Sequence, residues 1–501
     1  KGFAKIGELS VGDVVYDENG KPCSVTYISP IAFGHQCYEV TFDDGSTITV
    51  DAEHEWLAQD SKQRKNQARR VINPNPSWAS RKQCQPTPDY SIVTTEQIKN
   101  NLYRKGKLIR KRPAANYSID ICGPVEYPER KLPIPPYTFG AWLGDGTSTT
   151  PHITVLDTGI LKEIERDGFC VGPVSWNSNS GKALLYVIEY RETSKWNNIF
   201  GGRRHINQFK KTLADVGVLG SKHIPEVYLL SSVAQRIRLL HGLMDTDGYC
   251  SEKKNQCEFT NKNRELAYGM LELLRSLGIK ARIKTKTATL YGKDCGIVYR
   301  VFFSTSVQAF TLPRKINAQR AIQRPDMLRR FIIDVKPVDS IPVKCIQVDS
   351  PNHLFLITRS YITTKNTSSG PWWLWREIQR TANPNGNNDY LAVTATFPLL
   401  RLKMLPEFIR VFQTTLKLGH WYAADRIFEL ANPKTGELAK RATEPMWGRV
   451  IFGSAKNADS LESATAKAAW LDEAGQNQFH VDAWEAVLRR LSINRGRCLI
   501  S

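Results

Sequence analysis

Val348-Asp-Ser-Pro-Asn-His353-Leu-Phe-Leu-Ile-Thr-Arg-Ser-Tyr-Ile-Thr-Thr-Lys-Asn366-Thr367 is the stretch at which this chain changes character. An asparagine side-chain amide can attack its own backbone carbonyl, closing a succinimide and cutting the chain, and a threonine hydroxyl can accept an acyl group. Asn366-Thr367 places the two groups side by side. Asp349 and His353 stand upstream on short apolar strands as an acid and an imidazole able to move the protons of such a cleavage. Asn-Thr is also a common loop dipeptide, and a histidine beside Leu354-Phe-Leu is usually structural, so the reading depends on what flanks it.

The 501 residues are too many for one core and suggest about three domains. Net charge is +20, of which +16 lies in residues 1–366. That part of the chain is therefore expected to meet a polyanion, with DNA or RNA first. Ten cysteines at scattered spacings, with no Cys-x-x-Cys pair, indicate neither a zinc site nor a disulfide framework. No signal peptide and no apolar run of spanning length is read, which points to a soluble cytoplasmic protein.

The first sixty residues read as short strands and tight turns: Asp13-Val-Val-Tyr, Glu18-Asn-Gly-Lys, Cys37-Tyr-Glu-Val-Thr-Phe, Asp43-Asp-Gly and Thr47-Ile-Thr-Val. Asn-Gly and Asp-Gly between β-branched runs are strong hairpin signals, so this is a small all-β module. It closes on Asp51-Ala-Glu-His54-Glu-Trp-Leu. Ile6-Gly-Glu-Leu-Ser-Val-Gly-Asp13-Val-Val, the Asp51-x-x-His54 block and the His353…Asn366-Thr367 block together resemble the blocks of an intein, over residues 1–366. The resemblance implies a Hint-type β-domain in which His54 activates the upstream peptide bond, Asn366 cyclises and Thr367 accepts the acyl group. Two positions depart from the family pattern. Asp51 stands three residues before His54 where threonine is common, with Thr49 further back, and Lys365 replaces the usual histidine before the terminal asparagine, which throws weight onto His353. The family's first nucleophile is expected to be missing. Cys23 and Cys37 lie inside hairpins and cannot replace it, because the acyl shift uses the nucleophile's own amide bond.

Residues 59–129 are rich in Lys, Arg, Asn, Gln and Pro and read as a basic linker with phosphate-contacting clusters at Ser61–Arg70 and Lys105–Arg112. Beyond them, Tyr137-Thr-Phe-Gly-Ala-Trp-Leu-Gly-Asp145-Gly146 and Leu239-Leu-His-Gly-Leu-Met-Asp-Thr-Asp247-Gly248 repeat an apolar helical turn ending in Asp-Gly, 102 residues apart. One copy would be a helix C-cap. In two copies, Gly140, Ala141, Gly144 and Gly242 let two helices pack closely and bring Asp145 beside Asp247. Facing carboxylates repel unless a divalent cation lies between them, which implies a Mg²⁺ site suited to phosphodiester hydrolysis. The pair resembles the LAGLIDADG homing endonucleases over residues 130–327. That resemblance implies an α+β fold of two pseudo-symmetric halves that cuts double-stranded DNA. It assigns Lys222, in Ser221-Lys222-His-Ile-Pro225, to orienting the water or stabilising phosphate charge, and leaves a second basic partner unplaced. Asn261–Gly278 reads as an amphipathic helix stopped by glycine. Lys280, Arg282, Lys284 and Lys286 alternate along the next strand and are expected to form one DNA-facing ridge, with an exposed edge kept soluble by lysines as the alternative. From Leu328 short apolar strands return to the first module, giving 328–366 as its second part.

Residues 367–501 read as an α/β sheet, with strands at Tyr390-Leu-Ala-Val-Thr-Ala-Thr and Trp447-Gly-Arg-Val-Ile-Phe-Gly-Ser. Ala468-Ala-Trp-Leu-Asp472-Glu473 ends a strand in two acids, a Walker B arrangement in which Asp472 holds Mg²⁺ and Glu473 polarises water. With Asn385–Pro398, Ser454–Thr465 and Arg495–Ser501 it resembles the ATPase half of a tailed-phage terminase large subunit. That resemblance implies ATP with Mg²⁺, a terminase small subunit and a portal as partners. No G-x-x-x-x-G-K-[ST] string occurs, so Thr367 is expected to complete a P-loop interrupted between its lysine and threonine, and the chain as given is expected not to turn over ATP. Two rival readings are a free-standing homing endonuclease with intein-like flanks and a DNA-binding regulator with a degenerate nuclease.

Overall fold

The computed structural model describes the chain except residues 1, 30, 73–88, 110–111, 175–182, 192–206, 254, 291–292, 321–324, 366–368, 440–443, 458–464, 473, 475–478 and 501. It divides into two compact units, Lys1–Asn366 and Thr367–Ser501. The division falls at the bond singled out from the sequence.

The hairpin signals of the first module are met. Gly20 (φ 81°) and Gly45 (φ 82°) take the left-handed conformation that their turns demand. Strands Val14–Tyr16 and Pro22–Ile28 pair, as do Cys37–Phe42 and Thr47–Asp51. Neither sheet is complete without the end of the unit. Arg329–Val338 lies antiparallel on Cys37–Phe42, with Val335 opposite Val40, and Ile346–Val348 lies on Pro22–Ile28, with Ile346 opposite Ile28. Buried Val40, Phe42, Trp56, Ile332 and Ile362 share one core, so residues some 290 positions apart close the same β-domain. Leu354–Ile357 and Ile362–Lys365 form the last hairpin, in the register Leu354↔Lys365.

The stretch read as basic linker is built into this domain over much of its length. Strand Ser91–Thr94 pairs with Glu55–Ala58, helix Thr95–Asn100 follows under a capping box from Thr94, and Ser118–Asp120 pairs with Arg329–Val338. Ile98, Tyr117 and Ile119 enter the core, because apolar residues spaced among the charges have a sheet to bury against. Arg64, from the first basic cluster, donates to the Gln59 carbonyl (2.6 Å) and the Ser118 hydroxyl (3.0 Å). The side chains of the second cluster lie outside the described residues.

Between the two parts of the β-domain sit two halves of like design. Helix Pro136–Asp145 precedes the sheet of His152–Val155, Leu184–Tyr190 and Phe169–Pro173. Helix Val233–Asp247 precedes Gly248–Ser251, Gln256–Asn261, Lys293–Phe303 and Ala281–Leu290 in that sheet order. Helix Arg264–Ser276, capped by Asn263, ends before Gly278 (φ 71°), as its periodicity predicts. One apolar core runs through both halves, from Phe139 and Trp142 to Leu243, Phe259 and Leu274.

The second unit holds one six-stranded sheet. Gly448–Ser454, Asn388–Thr394, Ala468–Asp472 and Arg497–Ile500 run parallel in that order, and Ile427–Leu430 and Gly419–Tyr422 add antiparallel strands at the Gly448 side. The apolar runs read from the sequence thus fall on strands Asn388–Thr394, Gly448–Ser454 and Ala468–Asp472, largely buried as continuous hydrophobic stretches in a parallel sheet require.

Candidate functional site

Helices Pro136–Asp145 and Val233–Asp247 meet through glycine. A Cβ on Gly140 would stand 2.5 Å from the Leu239 carbonyl oxygen, one on Gly242 2.2 Å from that of Tyr137, and one on Gly144 2.1 Å from the Thr246 hydroxyl. Only backbone fits against backbone there, so the two helix ends, each carrying a half-buried aspartate, come together. Burial raises the Asp145 carboxyl, the Asp247 charge raises it further, and it settles at about 6. Asp247 is likewise raised by burial, against the pull of its hydrogen bond from Asn261 Nδ2 (2.7 Å).

Two lysines complete the arrangement. Lys222 Nζ donates to the carbonyls of Leu143 (3.0 Å), Gly144 (3.3 Å) and Gly146 (2.5 Å). Lys315 Nζ donates to those of Met244 (2.9 Å), Asp245 (2.7 Å), Thr246 (3.3 Å) and Gly248 (2.7 Å). Each ammonium therefore caps one helix C-terminus, where the helix dipole and free carbonyls favour a cation. Burial lowers both amines to about 8. Lys315 thus stands to helix Val233–Asp247 as Lys222 stands to helix Pro136–Asp145, a placement the sequence left open. Its signal was position, since it follows Asp247 by 68 residues much as Lys222 follows Asp145 by 77. Asp245, 2 % exposed, accepts from Tyr137 Oη (2.9 Å) and the Thr311 amide (3.0 Å) and so fixes the loop that carries Lys315.

Among the described residues no group of three or more His, Cys, Asp or Glu side chains converges as a metal cage. Two carboxylates whose ionisation is opposed by burial, with both lysines committed to carbonyls, still suit Mg²⁺. That ion takes one or two carboxylates and fills its octahedron with water and phosphate oxygens.

Of the expected ridge, Arg282, Lys284 and Lys286 are exposed on one face of Ala281–Leu290. Lys280 is not among them. It precedes the strand, and its Nζ is 2.7 Å from the Asp43 carboxylate and 2.6 Å from the Arg329 carbonyl. Alternation along the sequence cannot show where a strand begins, and this cation is neutralised against the β-domain. Lys284→Ala is therefore expected to flatten the salt dependence of duplex binding by about one unit of slope. Lys280→Ala should leave that slope unchanged; affinities measured at several salt concentrations decide it.

At the other site His54 Nε2 lies 2.5 Å from the Thr364 hydroxyl, which joins the early block to the last strand two residues before Asn366. Burial pushes the His54 imidazole down to about 4, against the opposing charge of Asp51, so the ring is neutral at neutral pH. Asp51, which stands where the family commonly has threonine, is also 3.2 Å from His35 Nδ1. Lys365 Nζ is 3.8 Å from Glu55. Thr364, which the sequence reading passed over, is buried at 1 % exposure. Cys345 was passed over as well. It is exposed where the other described cysteines are buried or half-buried, and burial of its sulfur and then the charges of Asp51 and Glu55 raise its thiol to about 11. These two carboxylates are the ones that meet His35 and Lys365, so the thiol belongs to the same corner.

His353 (φ 54°) presents Nδ1 to the Val348 carbonyl at 3.1 Å and directly precedes Leu354, the partner of Lys365. Asp349 accepts from the Ser24 amide (2.8 Å) and faces Cys23, whose thiol is raised by burial, then by Asp17 and Asp349. The expected acid is therefore a bridge between strands of the β-domain. Asn366, Thr367 and Glu473 lie outside the described residues. Asp472 ends strand Ala468–Asp472 opposite Thr394.

A glycine-packed helix pair with an aspartate at each end, set within a β-domain closed by residues from both sides, is the architecture these sites define. Residues 234–317 match the family described as LAGLIDADG-like domain. The chain is similar to a replicative DNA helicase DnaB of Mycobacterium intracellulare, 33% identical over 372 residues, which is 74% of this chain and 57% of that protein. It thus spans somewhat over half the length of that relative. It is also similar to the homothallic switching endonuclease of Saccharomyces cerevisiae, 26% identical over 166 residues, covering 30% of this chain and 28% of that one. Among solved structures, the zinc-bound splicing domain of the Msm DnaB1 intein is 34% identical over 11% of this chain and 43% of its own, with a TM-score of 0.11.

Proposed function

We propose that the chain is a protein-splicing element carrying a Mg²⁺-dependent, site-specific homing endonuclease, and that it interrupts the ATPase of a phage DNA-packaging terminase large subunit. The observation that supports this most is topological. Strands from residues 14–51 and 329–348 complete the same sheets, and the helix pair of Asp145 and Asp247 lies between them. A free-standing nuclease gains nothing from such closure, whereas a splicing element must hold its two ends together. The experiment is to produce the chain with its upstream coding segment restored and follow intact mass, while testing cleavage of duplex DNA spanning the uninterrupted insertion site against an interrupted control. Absence of both a ligated product lacking residues 1–366 and selective cutting would overturn the proposal.

Within the nuclease, Asp145 and Asp247 would hold Mg²⁺, which when bound would neutralise charge at the scissile phosphate. Lys222 and Lys315, at about 8, carry ammonium charge near neutrality yet yield a proton readily, so each can order a water or steady phosphate charge. Lys315→Met is expected to cost roughly 10²-fold in the rate of DNA cutting, similar to Lys222→Met, in single-turnover assays. A loss confined to Lys222→Met would make the two halves unequal. Arg282, Lys284 and Lys286 grip the backbone of the duplex.

Within the splicing element, neutral His54, hydrogen-bonded to Thr364, polarises the upstream peptide bond. Cys345 offers the thiol missing from the sequence account. The step is then a direct attack across the fold and not an acyl shift at the nucleophile's own amide bond: the Cys345 thiolate adds to the upstream carbonyl, the C–N bond breaks, and the released amine takes up a proton, leaving a thioester whose acyl group can pass to Thr367. A precursor with the upstream segment and Cys345→Ala is expected to lose ligation while still cleaving after Asn366, as followed by intact mass. With the thiol at about 11, the wild-type acyl-transfer rate should climb as pH rises from neutrality. Ligation undiminished in Cys345→Ala would remove this role. For the host unit, the parallel sheet with Asp472 at a strand end supports an ATPase; coding sequence upstream that ends in Gly-Lys would place the interruption inside its P-loop.

A further inference from the structure

The last hairpin of the splicing domain turns at Thr358-Arg-Ser-Tyr361, where Thr358 (φ 60°) and Tyr361 (φ 52°) occupy the left-handed region. β-branched and bulky residues adopt it at a cost, so contacts outside the turn must hold it. Much of what holds it comes from the nuclease lobe. Arg275, on helix Arg264–Ser276, donates Nη1 to Ser360 Oγ (2.7 Å) and Nη2 to the carbonyls of Asp44 (3.2 Å) and Ala281 (3.3 Å). Arg359 reaches Glu272 (2.9 Å) and Glu226 (3.4 Å), and the Tyr361 hydroxyl lies 3.3 Å from that of Tyr127, in the segment that leads into the nuclease lobe. From the β-domain side, fully buried Arg330 donates to the Asp44 carboxylate (2.8 Å) and to the carbonyls of Tyr361 (2.8 Å) and Ser360 (2.5 Å).

Asp44 is the pivot. Burial opposes its ionisation, yet Arg330 and then Arg275 outweigh burial and hold it at about 2. A buried guanidinium can be retained only where its charge and its fork of donors are answered, and one lobe alone does not answer them. Ser360 and Asp44 come from the splicing domain, while the helix that carries Arg275 comes from the nuclease. The same guanidinium touches Ala281, the first residue of the strand bearing Arg282, Lys284 and Lys286.

We infer that Arg275 is a positioning residue for the junction chemistry, so that the nuclease lobe sets the turn from which strand Ile362–Lys365 carries Thr364 to His54 and leads to Asn366. The inference rests on the splicing reading for its chemical consequence, though not for the contact itself. Arg275→Lys keeps a charge for Asp44 but cannot fork to Ser360, and Ser360→Ala removes the other side of that bond at less risk to folding. Hydrogen exchange over residues 354–365 of the full chain should quicken about tenfold in Arg275→Lys and about threefold in Ser360→Ala. Exchange in Val233–Asp247 should not change, and release of the fragment beginning at Thr367 should slow in the same order. In the double variant the two effects should fall well short of additive.

If Arg275→Lys fails to fold, the Ser360→Ala result decides alone. Unchanged exchange and unchanged release in the folded variants would overturn the inference. Quickened exchange in 354–365, with no Asn366-dependent release even in the wild-type chain, would uphold the positioning contact and remove the splicing reading instead.

Discussion

Asp247→Asn is expected to abolish DNA cutting, lowering its rate by roughly 10²–10³-fold or more, while leaving duplex binding intact. Asparagine matches the size of aspartate and keeps a carbonyl oxygen near Asn261, so the helix pair should still close on Gly140 and Gly242. What goes is half the negative charge that a divalent cation would answer. A second readout does not depend on catalysis. Burial and the neighbouring carboxylate raise Asp145 to about 6, above the unfolded value near 3.8, so its ionisation weakens the fold as pH rises through that window. Without added metal, this group's contribution to stability is present below the unfolded pKa and lost as pH passes about 6. Mg²⁺ should reverse that loss, raising the melting temperature at pH 7.5 but much less at pH 5, and either Asp145→Asn or Asp247→Asn should remove the response. A metal-dependent rise of equal size in Asp247→Asn, or undiminished cutting, would place the metal elsewhere.

Asn366→Ala is expected to eliminate cleavage at the junction, because no other side chain can close a ring on that carbonyl. Thr367→Ala should leave cleavage but block ligation, since the acceptor hydroxyl is gone. With both variants in a precursor that includes the upstream segment, intact mass separates the two halves of the proposed chemistry, cleavage being expected to depend on Asn366 and His353 and ligation on Thr367 and the thiol of Cys345. Lys365 stands where the family commonly has histidine, and its ammonium is 3.8 Å from Glu55. It offers no imidazole to shuttle a proton at the junction, so cleavage should be slow, with Glu55→Gln altering its rate more than its extent. A spliced product from the Asn366→Ala precursor would show that the junction lies at another bond.

Much of this organisation is legible in the chain itself. The hairpins of the first module, the repeat ending at Asp145 and Asp247, the helix stopped at Gly278 and the buried strands near 390, 450 and 470 are all local patterns. Each is imposed by turn geometry, helical period or the burial of a continuous apolar run. The bond Asn366-Thr367 could be singled out because the chemistry proposed there belongs to two adjacent residues, and the boundary between the compact units falls at the same place. Lys315 was missed because its position is set by carbonyls at the end of helix Val233–Asp247, and only its spacing from Asp247 hints at it in the sequence. Lys280 was misplaced because its partner Asp43 is 237 positions away. His54 and Thr364 are separated by 310 positions and Arg275 and Ser360 by 85, and Cys345 gains its company of Asp51 and Glu55 only when strand Ile346–Val348 pairs with Pro22–Ile28. The sequence by itself determined the turns, helices and strands of the modules and the repeat that ends in the paired aspartates, since short-range sterics need no distant partner. The tertiary structure decided which cations cap helices, which face solvent and which histidine is held neutral, because charge and burial are properties of the neighbours that folding brings.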